Sequence, residues 1–156
     1  MKGNDKIIKA LNARLAEELT AVNQYFVHAE MCDNWNYTRL HEVIKKRAIV
    51  EMKHAEKLIE RILFLEGQPI VSKLNPISIG AVVRDMHKND LAAEMDAEKG
   101  YNETILLAAE LKDAGTKDML ESILSDEEGH IDWLEAQFDQ MKQVGIENYL
   151  SEQIRQ

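Results

Sequence analysis

Apolar residues recur along the chain at alternating spacings of three and four, which is the pattern of amphipathic helices. Four long segments carry the pattern and predict helices at 5–35, 39–66, 82–112 and 116–144. A short amphipathic segment at 146–154 follows Gly145, a residue that commonly ends a helix. Polar turn residues at 33–38 and around Gly115 separate the helices of each pair. The sequence therefore predicts an all-α protein.

The connection between the second and third helices, residues 67–80, is much longer than the other two and contains both prolines. A helix of about 28 residues is ~42 Å long, and this connection reaches ~46–50 Å when extended. It can therefore run the length of a bundle, whereas the short turns cannot. Two antiparallel hairpins joined by one long crossover make a ferritin-like four-helix bundle. We expect this fold, with a short C-terminal fifth helix, as a single domain over 1–156.

Each of the four apolar stripes is interrupted once, near mid-helix, by a glutamate: Glu18, Glu51, Glu94 and Glu127. Four buried carboxylates facing one another repel strongly, so a positive charge is expected among them. His54 and His130 follow two of these glutamates by three residues, which puts each pair on one helix face. One glutamate from each of two helices, with Glu-x-x-His from the other two, is the known ligand set of di-iron bundles.

One offset of 76 residues relates the two halves of this candidate site, pairing Glu18 with Glu94, Glu51 with Glu127, and His54 with His130. The chain is thus predicted to consist of two copies of one hairpin, each supplying half of a pseudo-symmetric site. A single Glu-x-x-His is a weak signal, because a solvated helix face explains it equally well. Four carboxylates balance two divalent cations, and mixed carboxylate and imidazole ligands suit iron or manganese and tolerate zinc.

Two other residue types near the site have more than one interpretation. Tyr25 and Tyr101 lie one heptad beyond a site glutamate, and they either pack in the core or donate a hydrogen bond to that glutamate. The second role would also suit an electron donor beside the metals. Met52 points away from the face that carries the site. It is expected either to pack at an interface or to ligate haem at a symmetric dimer contact.

Composition limits the remaining function classes. A formal net charge of -9 argues against a nucleic-acid partner and suits a protein that handles cations. We expect neither a signal peptide nor a membrane span, because residues 1–6 are polar and no apolar run approaches ~20 residues. The single Cys32 provides neither a disulfide framework nor a rubredoxin-like site. A cytoplasmic location is expected by default. Three further histidines are expected at the surface: His28, His41 and His87.

Five blocks of sequence carry a more specific signal: VNQYF at 22–26, EMKHAE at 51–56, IERILFLEG at 59–67, DEEGHIDWLE at 126–135 and GIENYL at 145–150. With them the chain resembles the bacterioferritins over nearly its whole length. The resemblance implies a shell of twenty-four chains built from dimers, in which ferric mineral is stored. It also implies ferroxidase activity, the oxidation of Fe(II) by O2 or H2O2 at a di-iron site within each subunit.

The resemblance also implies a role for each residue. Glu18 and His54 would serve one iron, Glu94 and His130 the other, with Glu51 and Glu127 bridging and Tyr25 beside them. Haem b would lie between two subunits related by a two-fold axis, with Met52 of each as its axial ligand. The residues that would line the haem pocket are Leu19, Asn23, Phe26 and Ile49. A small ferredoxin partner that delivers electrons for iron release is implied as well.

The chain departs from the family pattern at several positions. Lys46 and Val50 stand where many members carry a histidine and an aspartate facing the cavity. Whether this chain has the family's inner-surface iron site is therefore an open question. Tyr101 stands where apolar residues are common.

The main alternative function is a cage that sequesters iron or haem with weak ferroxidase activity. The single cysteine cannot form a rubredoxin module, which counts against a peroxide reductase like rubrerythrin. Ligands supplied by one chain count against a DNA-protecting mini-ferritin.

Overall fold

The computed structural model describes residues 1–155, and within that range every regular element is a helix. The five helices are α1 (Asp5–Asn34), α2 (Thr38–Phe64), α3 (Val83–Glu110), α4 (Ala114–Val144) and α5 (Ile146–Gln153). α1 packs on α2, α3 packs on α4, and α1 and α3 join the two hairpins. The predicted four-helix bundle with a short fifth helix is confirmed. None of the helices in the described range is long and apolar enough to cross a membrane.

Side-chain caps set the start of two helices. Asn4 accepts a hydrogen bond from the backbone N–H of Lys6 at 2.8 Å, and α1 begins one residue after this cap. Asp113 accepts from the N–H of Thr116 at 3.0 Å, which satisfies a free donor in the first turn of α4. α4 therefore begins at Ala114, two residues before the limit indicated by the apolar pattern. Gly145, at φ 82°, separates α4 from α5.

The turns after α1 and after α3 have the same backbone structure. Asn36 and Lys112, which are 76 residues apart, both adopt the left-handed conformation at φ 62° and 60°. In each turn the next residue donates its N–H to the carbonyl five residues earlier: Tyr37 to Cys32 at 2.9 Å and Asp113 to Ala108 at 2.8 Å. This bond satisfies a carbonyl that the helix end leaves free. The two turns of the repeat thus end their helices in the same way, as does the end of α2 at Glu66.

The crossover, residues 65–82, runs along α1, and three of the α1 side chains that hold it lie at intervals of four residues. Each accepts a hydrogen bond from a crossover N–H: Thr20 from Asn75 at 2.8 Å, Gln24 from Ser78 at 3.1 Å, and His28 from Gly80 at 3.0 Å. His28 is fully buried, and Asp90 lies 2.9 Å from its other ring nitrogen. His87 is also buried, so the expectation that these two histidines lie at the surface is wrong.

Two apolar clusters make the core, and a polar layer separates them. One cluster contains Leu15 and Ala55, and the other contains Ala21 and Ala48. On each of the four long helices the interrupting glutamate falls between the residues of the two clusters. Burial of apolar side chains on both sides therefore fixes the height of the carboxylates in the bundle.

Candidate metal centre

The six predicted ligand residues converge in the polar layer. All are buried, with exposed fractions between 0% and 8%: Glu18, Glu51, His54, Glu94, Glu127 and His130. Their possible ligand atoms form two groups, in each of which all the atoms lie within 4.8 Å of one another. The first group is Glu18, Glu51, His54 and Glu127, and the second is Glu51, Glu94 and His130. Glu51 belongs to both groups, whereas Glu127 belongs only to the first.

The first group surrounds Nδ1 of His54. This nitrogen lies 3.1 Å from Oε1 of Glu127 and 3.5 Å from Oε2 of Glu18. Nε2 of the same ring lies 2.8 Å from Oδ2 of Asp126, a residue that sequence reasoning missed. A carboxylate on the outer nitrogen fixes the tautomer of a metal-binding histidine and aims the other nitrogen at the metal. His54 is therefore oriented with Nδ1 toward the three glutamates.

The second group is built differently around His130. Nδ1 of this ring lies 3.0 Å from Oε1 of Glu94, and the ring stacks on Trp133 with centroids 6.0 Å apart. The repeat places Val50 where Asp126 stands in the other half, 76 residues away. Valine offers no carboxylate to orient the ring. His130 is thus positioned by aromatic packing, whereas His54 is held by a hydrogen bond to an acid.

Two tyrosines cross-link the halves through the glutamates. Tyr25 on α1 donates its hydroxyl to Oε1 of Glu94, and Tyr101 on α3 donates to Oε1 of Glu18 at 2.5 Å. Both tyrosines are fully buried. Burial and the neighbouring carboxylates raise the pKa of each hydroxyl well above its usual value. Both hydroxyls therefore stay protonated and act as hydrogen-bond donors to the site.

Unsatisfied polar atoms indicate that the site accepts a cation. Oε2 of Glu18 and Oε2 of Glu94 are buried without a hydrogen-bond partner among residues 1–155. Nδ1 of His130 is also buried, and its 3.0 Å contact with Oε1 of Glu94 lacks hydrogen-bond geometry. Leaving such an atom unpaired costs about 1–3 kcal/mol, and more when the group is charged. Carboxylate oxygens and an imidazole nitrogen are also the ligands that suit iron and manganese. The donor set and its free atoms therefore fit divalent metal ions.

The electrostatics of the polar layer also favour the binding of cations. Burial and the charge of Glu51 raise the pKa of Glu18 well above its usual range, and burial does the same for Glu127. Burial alone would lower the pKa of His54, but hydrogen bonds to Glu127 and Glu51 raise it to about 10. Protons are thus drawn to a concentration of negative charge, and divalent cations neutralise the same charge.

Arg47 is a second residue that sequence reasoning missed. Its Nη2 lies 2.7 Å from Oε1 of Glu51 and 3.2 Å from Oε2 of Glu127. A signal was present in the sequence, because Arg47 lies one helical turn before Glu51 and so on the same face. The equivalent residue in the second hairpin is the fully buried Ile123, so an arginine at this height departs from the apolar pattern.

A small cavity of about 100 Å³ leads to the carboxylates from the side of α1, α3 and the crossover. Glu17 and Asp96 line it together with Asn75. Burial raises the pKa of Glu17 to about 7, although Arg14 beside it acts in the opposite direction. On the opposite side, between α2 and α4, a surface groove is lined by Lys46, Arg47, Val50 and His130.

The residues predicted to contact haem lie on the outer face of α1 and α2, away from the carboxylates. Met52 and Ile49 are 41% and 38% exposed. The other three members of the set are exposed or half-buried on α1: Leu19, Asn23 and Phe26. Phe26 also borders an apolar surface depression that contains Met31 and Trp35. The structure therefore places this set on an exposed, largely apolar surface.

Comparison with known proteins assigns the chain to a family. Residues 8–144 match the ferritin-like domain family. Proteins named bacterioferritin from Brucella melitensis and Rhodobacter capsulatus are each 43% identical over 149 residues, which cover 96% of this chain and 92% of theirs. The bacterioferritin of Mycolicibacterium paratuberculosis is 40% identical over 96% of this chain and 94% of its own. The resemblance seen in the sequence blocks is confirmed, and the chain belongs to the bacterioferritin family of ferritin-like proteins.

Proposed function

We propose that this protein stores iron and detoxifies Fe(II), acting as a ferroxidase that uses O2 or H2O2 as oxidant. The ferric product would be held as mineral inside a shell of twenty-four identical chains. One observation carries the proposal: four glutamates and two histidines of a single chain converge, and two of the buried carboxylate oxygens, Oε2 of Glu18 and Oε2 of Glu94, have no hydrogen-bond partner among residues 1–155. Membership of the bacterioferritin family supports it.

Each ligand has a proposed role. Glu18 and His54 would hold one iron, and Glu94 and His130 the other. Glu51 and Glu127 would bridge the two. The position of Glu51 in both groups of ligand atoms supports the bridging role for that residue.

The chain's own residues prepare this site for a two-electron oxidant. Two bound iron ions would supply two one-electron donors side by side. Tyr25 and Tyr101 each fix one oxygen of a glutamate and leave the other oxygen directed at the centre. Apolar clusters above and below exclude bulk water. Asp96 in the cavity beside the crossover would attract the Fe(II) substrate to the carboxylates.

Alanine substitutions test the assignment. Glu18→Ala and His130→Ala each remove a ligand, so rapid Fe(II) oxidation measured by stopped-flow absorbance should slow by about 100-fold or more. Size-exclusion chromatography should show the same assembled shell. Glu135→Ala is the matched control, because Glu135 is an exposed glutamate on the same helix as His130. Oxidation at the wild-type rate in either ligand variant would show that the centre has been assigned wrongly.

Further parts of the proposal concern assembly and partners. We propose haem b between two copies of the chain, with Met52 of each as axial ligand and the exposed apolar face of α1 and α2 as the contact surface. A small ferredoxin would deliver electrons for iron release. Residues 1–156 would form one domain, because the first apolar cluster draws on helices of both hairpins. We expect the protein to act in the cytoplasm, without nucleic-acid or membrane partners.

An alternative is a cage that sequesters iron or haem with only weak ferroxidase activity. Lys46 and Val50 favour it, since neither provides a metal ligand on the groove between α2 and α4. The same stopped-flow assay separates the two functions. Slow oxidation by the wild-type shell, unaffected by Glu18→Ala, would support the cage.

A further inference from the structure

A guanidinium group lies among the carboxylates of the centre. Arg47 extends from α2 with its side chain only 13% exposed. Its Nη2 lies 2.7 Å from Oε1 of Glu51, 3.2 Å from Oε2 of Glu127 and 3.9 Å from Oε2 of Glu94. Nη1 donates to the backbone carbonyl of Asp126 at 3.1 Å. One cationic side chain therefore faces three of the four glutamates of the site.

The oxygen atoms that Arg47 contacts are those that metal ions would need. Glu51 and Glu127 are the proposed bridging ligands, and Arg47 is close to one oxygen of each. Two divalent cations already balance four carboxylates, so a guanidinium that stays in place leaves one positive charge in excess. Like charges a few ångströms apart repel strongly where water is excluded. Full metal loading and the observed position of Arg47 therefore oppose each other.

The fold itself does not require an arginine at this height. The equivalent position in the second hairpin is Ile123, which is fully buried and packs in an apolar cluster. Arg47 also borders the groove between α2 and α4, where the half-exposed carboxylate of Asp126 offers it another partner. The side chain thus has a place outside the centre.

We propose that Arg47 is a tethered cation that competes with metal ions for Glu51 and Glu127, and thereby lowers the affinity of the centre for the second metal ion. This inference rests on the proposed di-iron function. In the metal-free protein Arg47 offsets the repulsion among the glutamates. On full loading it leaves them for the groove. Arg47 is a positioning residue, because it acts through the ligands and not on the reacting atoms.

Calorimetric titration with Co(II), a redox-stable divalent probe, tests the competition. The protein is first freed of metal with a chelator. In Arg47→Gln the second Co(II) should bind about tenfold or more tightly than in the wild type, because a competing charge is gone. The metal-free variant should unfold at a lower temperature than the metal-free wild type, because the glutamates have lost their counter-charge. Arg47→Gln is thus expected to gain Co(II) affinity and to lose thermal stability. A residue that only supports the fold would not produce both effects.

Lys46→Gln is the matched control. It removes the same charge from the neighbouring residue, which is exposed. Its Co(II) affinity should stay within about twofold of the wild type. An equal gain in both variants would overturn the inference, since a general change in field would then explain it. Unchanged affinity in Arg47→Gln would also overturn it.

A measurement on the wild type covers the case in which the variant fails to assemble. A crystal structure with two Co(II) ions bound should show the Arg47 guanidinium more than 4 Å from the contacted oxygens of Glu51 and Glu127. Guanidinium contacts that persist beside both metals would overturn the inference but leave the proposed function intact. Failure of the wild type to bind any Co(II) in the centre would overturn both.

Discussion

At the scale of single residues, each tyrosine of the site belongs to one hairpin and serves a glutamate of the other. Tyr101 holds Oε1 of Glu18, and Oε2 of the same carboxylate is buried with no hydrogen-bond partner in the described part of the chain. Tyr25 does the same for Glu94. A carboxylate with one oxygen fixed loses rotational freedom, so its other oxygen is already oriented for a metal. This geometry favours the hydrogen-bonding interpretation of both tyrosines over simple core packing.

Removal of one hydroxyl should therefore weaken the centre without removing a ligand. Tyr101→Phe leaves Oε1 of Glu18 without its donor. We expect a loss of about 10–100-fold in metal affinity or in the initial rate of Fe(II) oxidation. Calorimetry and stopped-flow absorbance measure the two quantities. Tyr37→Phe, at a half-buried tyrosine outside the centre, should leave both unchanged. If Tyr101→Phe matched the wild type in both, the hydroxyl would have no part in orienting Glu18.

At the scale of helices and turns, the sequence predicts what is local or repeated. Helix periodicity and the 76-residue offset were sufficient to select the residues of the polar layer, because both are properties of spacing along the chain. Asp126 was missed because its partner, His54, lies on another helix. Arg47 lies one turn before Glu51 on α2, but spacing along the chain does not report that it also reaches Glu127 on α4.

The burial of His87 was missed for the same reason, since its ring packs against Trp133 and Phe138 on α4 and Tyr149 on α5. Sequence spacing cannot report contacts that only the packing of distant elements creates.

His87 links α3 to α5 and should make stability depend on pH. Tyr149 donates its hydroxyl to Gln137 at 2.7 Å and so accepts from Nε2–H of His87 at 3.1 Å. Burial and the positive charge of nearby histidines lower the pKa of His87 to about 3. In the unfolded chain a histidine has a pKa of about 6.5. The unfolded state therefore binds more protons between these values, so the stability that neutral His87 contributes is full above pH 6.5 and is lost as pH falls toward 3.

Substitution of His87 should reduce the dependence of stability on pH. His87→Gln keeps an N–H donor for Tyr149 but does not titrate. Between pH 6.5 and 5 the wild type should lose about 1–2 kcal/mol more unfolding free energy than the variant. Thermal unfolding followed by circular dichroism at both pH values, at fixed protein concentration, measures this. His41→Gln, at a half-buried histidine bonded to the carbonyl of Ala29, should keep the wild-type pH dependence. Identical pH profiles for His87→Gln and the wild type would contradict this role of His87.

At the scale of the whole molecule, the metal centre is reached from two sides that differ in charge. The cavity beside the crossover is acidic, with Glu17 and Asp96 on its wall. The groove between α2 and α4 carries Lys46 and Arg47 in addition to Asp126. A cation is attracted on the first side and meets positive charge on the second. If Fe(II) is the substrate, as proposed, its approach should be favoured from the side of α1, α3 and the crossover.

The exposed apolar face of α1 and α2 gives a prediction about assembly. If Met52 ligates haem between two copies, the protein reconstituted with haem b should show a Soret band typical of two methionine ligands. Met52→Leu should abolish that band, because leucine has no sulfur to bind iron. The variant should still elute as the same assembly and oxidise Fe(II) normally. Met95→Leu is the control, since Met95 is an exposed methionine on α3. An unchanged Soret band in Met52→Leu would exclude this residue as the ligand.

The central claim is that one chain binds two iron ions in the polar layer of its bundle. Anomalous scattering at the iron absorption edge, from crystals soaked anaerobically with Fe(II), tests it most directly. We predict two peaks within each subunit, one beside Glu18 and His54 and one beside Glu94 and His130, with Glu51 close to both. Anomalous peaks found only outside this layer, or none in a fully soaked crystal, would contradict the account.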